Sequence, residues 1–238
     1  MHSPTLSPPR ASHRTSLLLG AGVVCALLSA ALTALVAVRW PPLMSLDGTV
    51  ARSLHRGAVT EPGLVHLNRV LTDWVWDPWT MRVLTAVVVI ALWWRGAPRL
   101  AGWVAATSLL ATVLQQALKS AVGRERPQWP DPVDSAHYAA FPSGHAMTAM
   151  VTCGLLLWLL RLYGAAPLLW RTAVVVAVVS VLGVAFTRLY LGVHWLSDVV
   201  GGLLLGGAVT ALCAAAYGAR RVAGDEEGGV VEPPARRR

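Results

Sequence analysis

The chain has 238 residues, 55% of them hydrophobic and 13% charged, with a formal net charge of +8 and a mean hydropathy of +0.55. Soluble domains carry about 25% charged residues, so this chain lacks the polar surface to cover a water-soluble globule, and its length suits one bundle rather than two domains. The basic residues are scattered around apolar spans without any nucleic-acid recognition module, so the charge points to anionic lipid and excludes nucleic acid as the expected partner.

Residues 1–16 are rich in Pro, Ser and Arg and read as a disordered tail. Leu17 to Val38 is an uncharged apolar run, long enough to cross a hydrocarbon core of roughly 30 Å at about 1.5 Å per residue. It is long for a signal-peptide core, and the Pro41-Pro42 pair that follows is a poor cleavage site, so it reads as a transmembrane helix. The stretch from Arg39 to Pro78 is long for a connection, which predicts structure of its own. Within it Leu64, Leu67, Leu71 and Trp74 recur at helical spacing, as in an amphipathic helix on the outer surface or a helix packed on the core. Further spans fall near Trp79–Trp94, Ala101–Leu118, Ser143–Leu160, Leu168–Phe186 and His194–Tyr217. The prediction is an all-α integral membrane bundle of six helices over residues 17–217, followed by a disordered basic tail over 218–238. Cys25, Cys153 and Cys213 all lie inside apolar spans, as unpaired thiols in helices do.

Orientation follows from the basic flanks. With the amino terminus inside, Arg10, Arg14, Arg95, Arg99, Arg161, Arg171, Arg220, Arg221 and Arg236 to Arg238 collect on one side. Arg39, Arg52, Arg56, Arg69 and Arg82 collect on the other, with Lys119, Arg124, Arg126 and Arg188, which have a separate reason to be there. Both termini are therefore expected in the cytoplasm. Trp40, Trp93, Trp94, Trp158, Trp170 and Trp195 sit near span ends, as interfacial anchors do. In this topology Lys119 ends the third helix, Ser143 opens the fourth, Arg188 ends the fifth and His194 opens the sixth, so their polar blocks converge at the outer face.

Three such blocks interrupt the apolar chain: Lys119 to Pro127, Pro142-Ser143-Gly144-His145, and Arg188 to Asp198. Charges in such surroundings are costly and call for a compensating role. A phosphate ester in transfer spreads charge over several oxygens and needs fixed donors. Lys119, Arg126 and Arg188 supply cations, and Ser143 and Gly144 stand at a helix start whose amides and dipole favour an anion, the glycine allowing close approach. His194 and Asp198 stand four apart, hence on one helix face, where the carboxylate takes the Nδ1 proton and leaves Nε2 to attack phosphorus. His145 is then the acid and base at the leaving oxygen and at water. No acidic cluster suited to Mg²⁺ is present, so neither metal nor other cofactor is expected.

With these residues the chain resembles the type 2 phosphatidic acid phosphatase superfamily of membrane lipid phosphatases, undecaprenyl-diphosphatase-like members included. The family's Lys-x6-Arg-Pro is matched by Lys119, Arg126 and Pro127, and its Pro-Ser-Gly-His by Pro142 to His145. Its Ser-Arg-x5-His-x3-Asp is matched by Arg188, His194 and Asp198, with Thr187 in the serine position, a departure that keeps a hydroxyl. The resemblance implies a metal-independent phosphatase passing through a phosphohistidine. In it His194 is the nucleophile, Asp198 its orienting carboxylate and His145 the acid/base, and Lys119, Arg126, Ser143, Gly144 and Arg188 bind phosphate. Arg124 lies outside the pattern, as an extra phosphate contact or an anchor; Asp131, Asp134 and His137 read as a solvated loop.

The expected activity is hydrolysis of a lipid phosphate or diphosphate at the outer face of a bacterial plasma membrane. Polyprenyl diphosphate is favoured, because an outward site is where that carrier is released in envelope synthesis. Phosphatidic acid and phosphatidylglycerol phosphate are the other substrates the resemblance implies. The alternative is a phosphotransferase passing the phosphate to a sugar or lipid acceptor. A lipid-phosphate binder or transporter would not need His194, Asp198 and His145 together. The similar vanadate-dependent peroxidases are soluble. Gly201-Gly202 and Gly206-Gly207 permit close packing within the monomer or between copies, which leaves the oligomeric state open.

Overall fold

Proline opens α2 (Pro41–Thr60), α3 (Pro62–Val70), α4 (Pro78–Trp94), α5 (Pro98–Val122) and α7 (Pro167–Tyr190). Its missing N–H falls where a helix has no partner to offer, and its φ is already helical. The structure, a computed structural model, describes residues 9–228, which also form α1 (Pro9–Ala37), α6 (Gly144–Leu162) and α8 (Leu196–Gly228). A π-helical turn, Leu71–Val75, joins α3 to α4. Asp77 caps α4, its carboxylate accepting from the N–H of Trp79 at 2.6 Å. Gly123, at φ +57°, closes α5 in the left-handed conformation that glycine adopts without strain and starts the irregular segment 123–143.

Six stretches among the described residues are long and apolar enough to cross a membrane: His13–Ala37, Pro62–Trp94, Pro98–Val122, Gly144–Leu162, Pro167–Tyr190 and Leu196–Arg221. They contain the predicted spans almost whole. The fold is all-helical, with no strand among the described residues. The tails expected over 1–16 and 218–238 lie in part outside the described residues. Where described, Pro9–Ser16 belongs to α1 and Gly218–Gly228 to α8, since no proline interrupts either helix.

Large apolar side chains face outward as well as inward. On α3 and the π turn Val65, Asn68 and Thr72 are buried and Leu71 is half-buried, whereas Leu64, Leu67 and Trp74 face outward. The apolar stripe therefore turns away from the protein, as a surface in contact with hydrocarbon does, and is not a core-packing face. α2 buries Asp47 and His55 beside Ala51 and Ala58, and exposes Arg52 and Arg56 as well as Leu46 and Val59.

The core lies on α6 and α8, where Met147, Val151, Leu155 and Val209 meet Leu92, Leu100 and Val104 of α4 and α5. Gly202 and Gly206 make this approach possible. A Cβ on Gly202 would lie 2.6 Å from the Ser143 carbonyl oxygen, and one on Gly206 would lie 2.9 Å from that of Met147. The glycine pairs are thus consumed by packing within the monomer. Gly202→Ala is expected to cost about 1–3 kcal/mol, because the clashing atom is backbone and cannot rotate away. Gly207→Ala is the control, since its Cβ meets the mobile end of Met150 at 3.2 Å. Thermal unfolding in detergent should show a lower midpoint for the first and little change for the second.

Candidate active site

The last turns of α5 and α7 and the first turns of α6 and α8 meet at one end of the bundle, bringing the three polar blocks together. Backbone bonds lock them: the Ser143 N–H donates to the Asp198 carbonyl at 2.9 Å, and the Ala140 N–H to the Arg124 carbonyl at 2.8 Å.

His194 does not open α8 as expected. It lies in the turn before it, after Gly192 at φ +68°, and α8 begins at Leu196. The His194–Asp198 pair forms nonetheless, Nδ1 to Oδ2 at 3.3 Å, because Asp198 Oδ2 also accepts the Trp195 N–H at 2.9 Å and so ties the turn to the helix start. On the other side of the ring, Arg126 Nη1 lies 3.1 Å from His194 Nε2. A guanidinium can only donate. Nε2 is therefore the acceptor, and Nδ1 carries the proton directed at Asp198. Both residues are almost wholly buried.

Burial first, then the charges of Arg126, Arg188 and Lys119, hold the His194 imidazole well below its ordinary pKa. Because the folded value lies below the unfolded one, its contribution to stability is complete above about pH 6.5 and is lost as pH falls, by up to ~1.4 kcal/mol per unit. Between about pH 8 and about pH 5 the melting temperature should fall more steeply for the wild type than for His194→Gln, whose amide does not titrate. Parallel curves would mean that the ring is not held neutral.

The remaining predicted residues surround this pair. Lys119 Nζ donates to the Ala139 carbonyl. Arg126 also donates to the carbonyls of Tyr138 at 2.9 Å, His137 at 3.2 Å and Val193 at 2.6 Å, so it braces the loop as well as facing the histidine. Arg188 is buried, donates from Nη1 to Thr72 Oγ1 at 3.2 Å, and keeps its Nε without a partner. Ser143 Oγ is likewise buried and unpartnered, and caps nothing on α6. His145, in the first turn of α6, lies within electrostatic reach of Arg188 and His194. The space beside Gly144 is taken by Gln115, whose Nε2 would be 2.7 Å from a Cβ there. That glycine therefore admits α5 as its neighbour, and its place at the helix start leaves the backbone N–H as what it can offer an anion. Thr187 Oγ1 donates to the Val184 carbonyl of its own helix at 2.9 Å, so the hydroxyl in the serine position is spent on α7.

Several participants were invisible in the motifs. Arg124 bridges Asp198 and Asp47 of α2. Thr72 and Gln115 come from the π turn and α5, without motif or spacing to mark them. Trp195 donates from Nε1 to the Glu125 carbonyl at 2.9 Å. Of the loop residues, Asp131 pairs with His55 at 3.2 Å, and His55 stacks on Trp129.

The PAP2 superfamily profile matches residues 100–221, a segment that holds all three blocks. Phosphatidylglycerophosphatase B of Bacillus subtilis (strain 168) is 34% identical over 98 residues, covering 40% of this chain and 46% of that protein, so the chain spans about half the length of this curated relative. The fold is that of a solved transmembrane PAP2-type phosphatidylglycerolphosphate phosphatase from Bacillus subtilis, with a TM-score of 0.62 at 22% identity over 90% of this chain and 98% of that one. The protein is thus an integral membrane bundle. Since the matched segment runs over slightly more than half of the sequence and carries the polar blocks that the fold gathers at one end, the chain belongs to the PAP2 superfamily.

Proposed function

We propose that the protein is a lipid phosphatase acting through a phosphohistidine on His194. The observation that carries this reading is the Arg126–His194–Asp198 chain, in which Nε2 is the unprotonated nitrogen and faces the cations. Arg188 Nε and Ser143 Oγ are buried donors without partners, as groups awaiting phosphate oxygens would be. Phosphate enters between Lys119, Arg126, Arg188, Ser143 and the Gly144 N–H. As it binds, Arg126 shifts its Nη1 bond from Nε2 to a phosphate oxygen. Nε2 then attacks phosphorus, the bond to the lipid oxygen breaks, and His145 protonates that oxygen. Water next attacks the phosphohistidine while His145 takes its proton, which frees inorganic phosphate and returns His194 to neutrality. The cations do the electrostatic work, so no metal is invoked.

The basic residues at the opposite end of the bundle, Arg95, Arg99, Arg161, Arg171, Arg220 and Arg221, support a cytoplasmic placement of that end. The site then opens on the outer face of a bacterial plasma membrane. The outward Leu64, Leu67 and Trp74 near the site suit a substrate whose chains stay in lipid. The names of both relatives put phosphatidylglycerol phosphate first among candidate substrates; the outward site keeps polyprenyl diphosphate second, and phosphatidic acid follows.

The test is phosphate release by purified protein in detergent, with EDTA present, from each of these three lipids. Release inhibited by vanadate, a mimic of five-coordinate phosphorus, is the expected result, and the ranking selects the substrate. Strong loss of activity with EDTA would overturn the metal-independent scheme. A phosphorylated organic acceptor in place of free phosphate would make the protein a phosphotransferase.

A further inference from the structure

Arg124 and Asp47 form a buried ion pair directly behind the candidate catalytic pair. Arg124 Nη1 donates to Asp198 Oδ1 at 2.7 Å and to Ser197 Oγ at 2.6 Å, while Nη2 donates to Asp47 Oδ2 at 2.6 Å. Asp47 Oδ1 accepts the Ser197 N–H at 2.9 Å, and its Oδ2 accepts the Ser197 hydroxyl. The side chains of Arg124, Asp47 and Asp198 are 10%, 1% and 0% exposed. The guanidinium also lies 5.5 Å from the Trp195 ring centroid. An uncompensated charge at such a place is strongly destabilising. The closed arrangement is therefore a built one.

Its geometry divides the work between the two oxygens of Asp198. Oδ2 faces the His194 Nδ1 and the Trp195 N–H, and Oδ1 faces Arg124. Holding Oδ1 sets the plane of the carboxylate and so aims Oδ2 at the imidazole. Asp47 takes the other arm of the guanidinium and balances its charge. Both terminal nitrogens of Arg124 are then committed away from the phosphate pocket, unlike Arg188, whose Nε is unpartnered.

We infer that Asp47 and Arg124 are positioning residues that hold Asp198 in line with His194, which makes α2 part of the catalytic support. This rests on the phosphohistidine reading above. The two residues touch no reacting atom and act through Asp198 alone.

The experiment uses the full chain in detergent, with phosphate release from the best of the three lipids and a melting curve for every variant. Arg124→Gln should lower kcat by about 10–100-fold, the usual loss when the partner orienting a working side chain is removed, with KM held within about 3-fold. Arg124→Lys should recover part of kcat, because it restores the charge but not the fork. Asp47→Asn should lower kcat less than Arg124→Gln, and the double variant should be no slower than Arg124→Gln, since Asp47 works through the arginine.

A raised KM with kcat preserved would overturn the inference by making Arg124 a phosphate ligand. Multiplying losses in the double variant would overturn it by separating the two residues. If Arg124→Gln does not fold, Asp47→Asn decides: a folded Asp47→Asn with unchanged kcat overturns the inference. The underlying reading fails separately, through activity retained in His194→Ala. An inactive His194→Ala beside a fully active, folded Arg124→Gln removes the positioning role alone.

Discussion

His194→Ala is expected to lose phosphate release by about 10⁴-fold or more, because it removes the nitrogen that forms the covalent intermediate in this scheme. The protein should still fold and insert. Removing the ring leaves Asp198 bonded to the Trp195 N–H and to Arg124, and leaves Arg126 bonded to the Val193 carbonyl, so no buried charge loses its last partner. Activity and the melting curve, measured on the same preparation, check both halves of this statement. Turnover near the wild-type rate would remove His194 from the mechanism and with it the reading of the Arg126 contact as fixing a nucleophile.

Asp198→Asn should lower kcat by about 10²–10⁴-fold, as replacing the carboxylate of a carboxylate–histidine pair does elsewhere. The asparagine is nearly isosteric, so the loss comes from chemistry rather than shape. Its amide can no longer balance the positive charge that the imidazole gains when Nε2 bonds to phosphorus. If its NH2 turns toward Nδ1, it also reverses the tautomer and places the proton on Nε2. KM should change little, because phosphate contacts Lys119, Arg126 and Arg188 in this scheme and not Asp198. A preserved kcat would show that the carboxylate serves only the fold of the α8 start, where it accepts the Trp195 N–H.

Much of this site is local chemistry and could be read along the chain. Pro142 and Ser143 lead into α6, which Gly144 and His145 open, and His194 and Asp198 are four residues apart, so their pairing depends on one turn of backbone. That pairing survives even though α8 begins two residues later than the apolar pattern suggests, because the carboxylate itself organises the turn. The partners of Arg124 and Arg188 are another matter. Asp47 stands 77 residues from Arg124 and 150 from Ser197, and Thr72 stands 116 from Arg188. No periodicity connects such positions, and an aspartate in an amphipathic segment reads as an ordinary solvated residue until the packing buries it.

The chain read alone is enough for a membrane bundle that gathers three polar blocks at one end. Apolar runs of spanning length, interrupted by three polar blocks, leave the chain few other ways to satisfy its backbone and its cations. The choices among equivalent neighbours fell to the tertiary structure. It turned most of the α3 stripe outward, set Gly202 and Gly206 of α8 against α6, filled the space beside Gly144 with Gln115, and set Arg124 between two carboxylates. The physical reason is that hydrophobic burial and charge type are properties of single residues and short windows. Which buried donor meets which acceptor depends on how whole helices approach, and that is decided only when they pack.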